Sequence, residues 1–314
     1  MQKLVIEGGY PLSGTIRISG AKNAVLKMMA AALLGKGKFV IYDVPAIKDV
    51  YTMLGVLTTL GVEAKLQDSV LTMEVDQVSG DTPTELVQEM RASIQVMGPL
   101  LARLGWVRIA KPGGCAIGDR PIDLHLQNLA RLGAVIDESH GFITARCQRL
   151  TGQEISLDYP SVGATENIMM AATLAKGKTV IHNAAREPEI VDVQNFLNQM
   201  GAHVYGAGTS VIVVEGVDQD HLGSTEYTVI PDRIEAGTYL IAGAITQSKI
   251  TLENVIPQHI QVLLSKLLEA NAKLTVGLNR ITLEGGKTIL PTNIITLPYP
   301  GFATDLQPQF MSLM

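Results

Sequence analysis

The stretch Gly20-Ala21-Lys22-Asn23-Ala24-Val25-Leu26-Lys27-Met28-Met29-Ala30-Ala31-Ala32-Leu33-Leu34-Gly35 decides the fold. Polar groups open it, a run with hardly a charge follows, and glycine stops it. The run is too short to span a bilayer, which takes about 20 residues, and too apolar to face water on any side. It therefore predicts a helix buried all round. After Gly37, Phe39-Val40-Ile41-Tyr42-Asp43-Val44 reads as a strand. Pro45 then turns the chain into a second helix ending at Leu60-Gly61, and two short strands follow at 63–66 and 70–75.

The pattern returns along the chain. Its openings fall at 20, 91, 161, 232 and 302, a period of 70–71 residues. The ends of the second helices, at Gly61, Gly133, Gly201 and Asn271, keep a period of 68–72. Two independent markers with one period identify a repeat architecture, and Gly or Asn at the helix ends fits the left-handed residue that closes a helix. The first helices (25–34, 168–175 and 239–245) are almost wholly apolar. The second are mixed: 190–200 interleaves Asp192, Gln194, Asn195 and Asn198 with apolar residues and reads as an outside helix. Each repeat thus has an inside helix, an outside helix and strands between them. Several such repeats around a common axis would enclose helices within sheets. Three repeats make one domain, and the fourth with the opening of a fifth begins another.

Composition narrows the class. The 314 residues are 46% hydrophobic and 18% charged, enough for large cores and unlike a disordered chain. A net charge of −5 argues against a general nucleic-acid or membrane-surface binder. Cys115 and Cys147 give neither a disulfide framework nor metal-ligand spacing, and the six histidines are scattered. The N-terminus lacks the apolar core of a signal peptide, so a soluble, cytoplasmic protein is expected. No GxGxxG, GxxxxGK[ST] or GxSxG is present, which leaves nucleotide-fold and hydrolase readings without support.

Deviations from the repeat point to function. From the residue before the first strand to the end of the second helix, repeats one, three and four span 24, 24 and 23 residues, and repeat two spans 28. The excess is Lys111-Pro112-Gly113-Gly114-Cys115-Ala116-Ile117-Gly118-Asp119-Arg120-Pro121. Its glycines and prolines exclude helix and strand, so it is a loop. Flanked by Lys111 and Arg120, Cys115 would be shifted toward the nucleophilic thiolate; a turn with a small, buried, inert thiol fits the composition equally well. The helix openings carry Lys22 and Asn23, Arg91, Ser161 with Gly163, Arg233, and Asp305. Singly these read as caps or solvated residues. Jointly, at helix N-termini that attract anions, Lys22, Arg91, Arg120 and Arg233 predict a basic pocket for a multiply phosphorylated ligand. Asp305 is either a helix N-cap or a carboxylate base within that pocket.

Gly20-Ala21-Lys22-Asn23-Ala24, Met90-Arg91-Ala92-Ser93, the segment 112–125, Ser161-Val162-Gly163-Ala164-Thr165, Ala185-Arg186-Glu187-Pro188-Glu189, Pro231-Asp232-Arg233-Ile234-Glu235 and Thr304-Asp305 closely resemble the UDP-N-acetylglucosamine 1-carboxyvinyltransferase family, enolpyruvyl transferases of bacterial peptidoglycan synthesis. The resemblance runs the length of the chain. It implies an α/β fold of two inside-out α/β barrels, each built from three repeats, with the active site in the cleft between them. The first domain would be 21–230, with its catalytic loop at 111–121; the second would be 1–20 plus 231–314. It also implies transfer of the enolpyruvyl group of phosphoenolpyruvate to the 3′-hydroxyl of UDP-N-acetylglucosamine, without cofactor or metal, and sensitivity to fosfomycin. Carried over residue by residue, Cys115 is the general acid at the methylene carbon and Asp305 takes the proton of the attacking hydroxyl. Lys22 and Arg120 hold phosphate, and Asn23 and Arg91 contact substrate. Arg120, Pro121, Ile122, Asp123 and Leu124, together with Ser161, Val162 and Gly163, bind the UDP-sugar.

Two departures accompany the resemblance. Family members continue through a fifth and sixth repeat where this sequence stops at Met314, so the second domain is expected to be incomplete and the 314 residues to have little activity alone. Tyr159-Pro160 precede Ser161 where some members carry a lysine. The alternatives are an enolpyruvyl transferase with another acceptor and a non-catalytic UDP-sugar-binding paralogue.

Overall fold

The computed structural model describes residues 3–112 and 122–314. The expectations placed on Cys115, Arg120 and Pro121 lie outside the described residues.

Strand β1 (Ser13–Arg17) precedes the first repeat, which consists of α1 (Lys22–Ala31), β2 (Gly37–Tyr42), α2 (Lys48–Thr59), β3 (Glu63–Gln67) and β4 (Val70–Val75). A short helix α3 (Thr84–Glu89) leads into the second. There a 3-10 segment, Arg91–Val96, continues into α4 (Met97–Leu104), followed by β5 (Trp106–Ala110), α5 (Asp123–Arg131), β6 (Val135–Ser139) and β7 (Phe142–Arg146). Pro99 in the third position of α4 lacks the N–H that a longer continuous α-helix would need there. β8 (Glu154–Ser156) introduces the third repeat, α6 (Val162–Ala172), β9 (Lys178–His182), α7 (Pro188–Met200), β10 (His203–Tyr205) and β11 (Val211–Glu215). β12 (Thr225–Thr228) introduces the fourth, α8 (Arg233–Ile245), β13 (Lys249–Glu253), α9 (Gln261–Glu269), β14 (Lys273–Val276) and β15 (Arg280–Glu284). The opening of a fifth follows as a 3-10 turn, Thr304–Leu306, and α10 (Gln307–Leu313).

One sheet plan recurs. The strand after each inside helix pairs antiparallel with the last strand of its repeat, and a strand from outside the repeat adds in parallel at the edge. The sheets run β12-β2-β4-β3, β8-β9-β11-β10 and β1-β13-β15-β14, and β5-β7-β6 carries the parallel bridge Asp81↔Arg108 at the corresponding edge. The register Thr225↔Phe39 to Thr228↔Tyr42 joins the end of the third repeat back to the first. Gly61, Gly133, Gly201 and Asn271 all have positive φ, between 74° and 110°, as their helix-ending positions require.

The chain divides into two compact domains, Gly20–Ile230 and a smaller one of Met1–Ser19 with Pro231–Met314. Each has its own core. In the larger, α1 and α6 are buried along almost their whole length, from Ala24 to Ala31 and from Ala164 to Ala172. In the smaller, the expectation of burial all round fails for α8, whose Tyr239 and Ile245 are 38% and 42% exposed. Fewer elements surround this helix: α9, α10 and one sheet pack on it, against three repeats in the larger domain. The outside helix α7 also departs from its reading. Asp192 is buried, accepting hydrogen bonds from Tyr227 Oη at 2.6 Å and Ile230 N at 3.1 Å. Burial raises its pKa to about 6. Among the described residues no helix is long and apolar enough to cross a membrane.

Candidate substrate-binding site

In the larger domain the repeat brings the predicted helix openings to the starts of α1, the Arg91–Val96 segment and α6. Lys22 is the first residue of α1, and its Nζ lies 3.2 Å from Asp49 Oδ2. Both side chains are about two-fifths exposed; such a pair contributes about 0–1 kcal/mol and readily exchanges for another anion. Asn23 follows, half-buried, in the same uncapped first turn. Ser161 is the N-cap of α6: its Oγ accepts from Ala164 N at 3.3 Å. Val162 and Gly163 form the helix's first turn, whose outward N–H groups favour an anion.

A second group gathers around α5. Ile122 is its N-cap, Asp123 lies exposed in its first turn, Leu124 packs half-buried on the core, and His125 is buried. Asn167 of α6 orders this region. Its Oδ1 accepts from Gly98 N at 2.8 Å, its Nδ2 donates to Ile94 O at 3.1 Å, and Nδ2 also lies 3.0 Å from His125 Nδ1. Those two backbone partners fix the amide orientation, so His125 Nδ1 is the acceptor and its proton resides on Nε2. Burial and the nearby Arg91 guanidinium push the imidazole's pKa down to about 4, keeping it neutral. Gln95 Nε2 donates to Gly163 O at 3.1 Å. A Cβ on Gly163 would meet Gln95 Nε2, His125 Cε1 and His125 Nε2, each at 3.2 Å, so this position suits glycine. Arg91, His125 and Ser161–Gly163, from three separate stretches of sequence, thus come together.

Neither His125, Gln95 nor Asn167 stands out in the sequence. His125 ends the segment 112–125 without a role of its own there, and Asn167 sits within a helix otherwise apolar enough to read as core. Lys27 and Glu166 were hidden in the same way, inside the runs at 24–34 and 161–175. The loop stem is described as far as Pro112. Lys111 Nζ pairs with Glu138 Oε2 at 2.9 Å, so this cation, expected to act on a thiol, has a carboxylate partner. Cys147 is half-buried and its thiol pKa is raised by burial, as for an inert cysteine.

In the smaller domain, Arg233 opens α8 behind the N-cap Asp232, whose Oδ1 accepts from Ile234 N at 2.8 Å and Glu235 N at 3.1 Å. The Arg233 guanidinium lies 5.7 Å from the Tyr299 ring centroid. Asp305 is exposed inside the Thr304–Leu306 turn. Ala303 and Leu306 hold the two N-cap positions there, without side-chain caps, so the N-cap reading of Asp305 does not apply.

The family model for EPSP synthase (3-phosphoshikimate 1-carboxyvinyltransferase) matches residues 6–314. The chain is 51% identical over 312 residues to the UDP-N-acetylglucosamine 1-carboxyvinyltransferase 1 of Caldanaerobacter subterraneus subsp. tengcongensis, covering 99% of this chain and 75% of that protein. It is 52% identical over 317 residues to the UDP-N-acetylglucosamine 1-carboxyvinyltransferase 2 of Carboxydothermus hydrogenoformans, covering 100% of this chain and 75% of that protein. The chain thus spans about three quarters of the length of these relatives. Among solved structures, the enolpyruvyl transferase NikO from Streptomyces tendae superimposes with a TM-score of 0.87 at 22% identity, over 98% of this chain and 74% of that one. The EPSP synthase of Acinetobacter baumannii gives 0.72 at 18%, over 93% and 68%. The repeats and their sheets are therefore those of the enolpyruvyl transferase fold, and on the identity to its curated relatives this chain belongs to the UDP-N-acetylglucosamine 1-carboxyvinyltransferase family.

Proposed function

We propose that the chain transfers the enolpyruvyl group of phosphoenolpyruvate to the 3′-hydroxyl of UDP-N-acetylglucosamine, releasing inorganic phosphate in peptidoglycan synthesis. The observation that carries the reading is the half-identity, over nearly the whole chain, to relatives bearing that one name. The anion-favouring N-terminus of α6, with Arg91 and a neutral His125 beside it, supports a phosphorylated ligand.

In this reading Ile122, Asp123 and Leu124 with Ser161, Val162 and Gly163 take the UDP-sugar, together with Arg120 and Pro121. Lys22 and Arg120 neutralise phosphate, and Asn23 and Arg91 orient substrate. Cys115 donates a proton to the methylene carbon as the sugar oxygen bonds to the neighbouring carbon, and Asp305 accepts the hydroxyl's proton. Loss of a proton from the new methyl group and of phosphate from the adjacent carbon then restores the double bond. An acid at carbon, a base at oxygen and cations at phosphate are what such an addition and elimination requires. We further propose that the three repeats of the larger domain close into an inside-out barrel, a reading supported by the β12–β2 pairing, and that the smaller domain follows the same plan.

The test is phosphate release from phosphoenolpyruvate with UDP-N-acetylglucosamine, by the 314-residue chain and by a version continued to the length of its relatives. Release that requires UDP-N-acetylglucosamine and disappears in Cys115→Ser supports the proposal. Release with another acceptor alone, or binding of the UDP-sugar with no turnover in either form, overturns it.

A further inference from the structure

Lys27 is the charge inside the apolar helix α1. It is 6% exposed, and its Nζ donates to the Asn23 carbonyl at 2.6 Å, one turn back toward the helix start. The same Nζ lies 3.4 Å from Oε2 of Glu166 on α6, which is 0% exposed. Among the described residues neither Glu166 oxygen has a hydrogen-bond partner beyond this contact with Lys27. The other charged groups facing Glu166 are Glu187 and Glu189 at the start of α7. A buried ion pair is poor value as a stabilising device, because desolvation offsets its attraction; a Met at 27, like Met28 and Met29 beside it, would fill the space. What the pair does hold is one backbone atom in a first turn without a capping side chain, the turn that carries Lys22 and Asn23.

We infer that Lys27 and Glu166 are positioning residues for the phosphate-bearing substrate: the ion pair between α1 and α6 clamps the Asn23 carbonyl and thereby sets Lys22 and Asn23. The inference rests on the reading of Lys22 and Asn23 given under Proposed function. Glu166 must be ionised to anchor Lys27, and its surroundings tune that ionisation. Burial raises its pKa to about 7; Lys27 opposes the rise, and Glu189 and Glu187 add to it. The clamp is therefore weakened as pH falls through neutrality.

The experiment uses whichever form releases phosphate in the assay above. Glu166→Gln keeps the shape and removes the titration. It is expected to raise KM for phosphoenolpyruvate about tenfold, the effect of one pKa unit's worth of interaction, with kcat and KM for UDP-N-acetylglucosamine little changed. The ratio of wild-type to Glu166→Gln affinity for phosphoenolpyruvate should fall toward one below pH 7, a comparison from which the ligand's own titration cancels. Lys27→Met/Glu166→Gln, which leaves no unpaired charge, should show the same KM and a flat ratio against Glu166→Gln, and serves if the single variant does not fold. A Glu166→Gln enzyme with wild-type KM and pH profile overturns the inference while leaving the reaction assignment intact, as does an equal loss in both KM values. Absence of release in either wild-type form overturns the reaction assignment, and the inference with it.

Discussion

Asn167 Nδ2 and His125 Nδ1 lie 3.0 Å apart inside the larger domain, joining α6 to α5 while the same amide binds Gly98 N and Ile94 O. One side chain of the third repeat thus satisfies groups on three elements of the second. Asn167→Leu should cost about 3–5 kcal/mol, because it leaves a buried N–H, a carbonyl and an imidazole nitrogen without partners. Urea unfolding of the larger domain measures it; a loss under 1 kcal/mol would show that water replaces the amide freely.

His125 should stay neutral to well below its ordinary range. Its folded pKa of about 4 lies below the 6.5 of an unfolded histidine, so its contribution is present above pH 6.5 and lost as pH falls toward 4. The displacement corresponds to about 3 kcal/mol. NMR titration of the imidazole, with thermal unfolding of His125→Gln from pH 4 to 7, checks both statements: the variant should lack this acid-side loss.

Glu166 works in the opposite sense over nearly the same range. Its folded pKa of about 7 lies above the 4.5 of an ordinary glutamate, so its contribution is full below pH 4.5 and is lost as pH rises through 7. The two dependences oppose each other, and the wild-type stability curve should be flatter than that of either variant. Glu166→Gln should therefore be relatively more stable than wild type at pH 8 than at pH 5. A melting-temperature difference of the same size at both pH values would contradict the buried, raised carboxylate.

Arg103 shows how far a single repeat could be read from the sequence. The helix ends at Gly61, Gly133, Gly201 and Asn271 and the strand after each inside helix were legible because local chemistry dictates them: a residue tolerant of positive φ, then a β-branched run. Contacts between repeats were not. Arg103 Nη1 donates to Leu33 O and Gly35 O, each at 2.8 Å, and Nη2 donates to Asp76 O. It thus closes the C-terminal end of the first inside helix from the second repeat, about 70 residues away. Nothing around residue 103 signals this, just as nothing around Asn167 signals His125. The candidate site divided in the same way: Lys22, Arg91 and Ser161 announce themselves at helix openings, whereas His125, Lys27 and Glu166 acquire meaning only once the repeats pack. Arg103→Ala should destabilise by about 2–4 kcal/mol, and Arg103→Lys should recover little, since an ammonium cannot reproduce the fork on separate carbonyls. Chemical denaturation of both variants tests this.

Gly163 separates substrate binding from stability. An added Cβ would stand 3.2 Å from Gln95 Nε2 and from His125 Cε1 and Nε2, tighter than ordinary contact, yet these are side chains that can yield a few tenths of an ångström. The helix is already formed at this position, and alanine favours it by up to about 1 kcal/mol relative to glycine, which offsets much of the crowding. Gly163→Ala should therefore leave the melting temperature within a few degrees of wild type. The displaced groups, however, flank the N-terminus of α6, where the UDP-sugar is proposed to bind. Affinity for UDP-N-acetylglucosamine should fall about tenfold, roughly the 1.4 kcal/mol that such a shift costs one good polar contact, with KM for phosphoenolpyruvate unchanged. Isothermal titration with the UDP-sugar reads the first effect and steady-state kinetics the second. Unaltered UDP-sugar affinity in a stable Gly163→Ala protein would remove the start of α6 from the acceptor site.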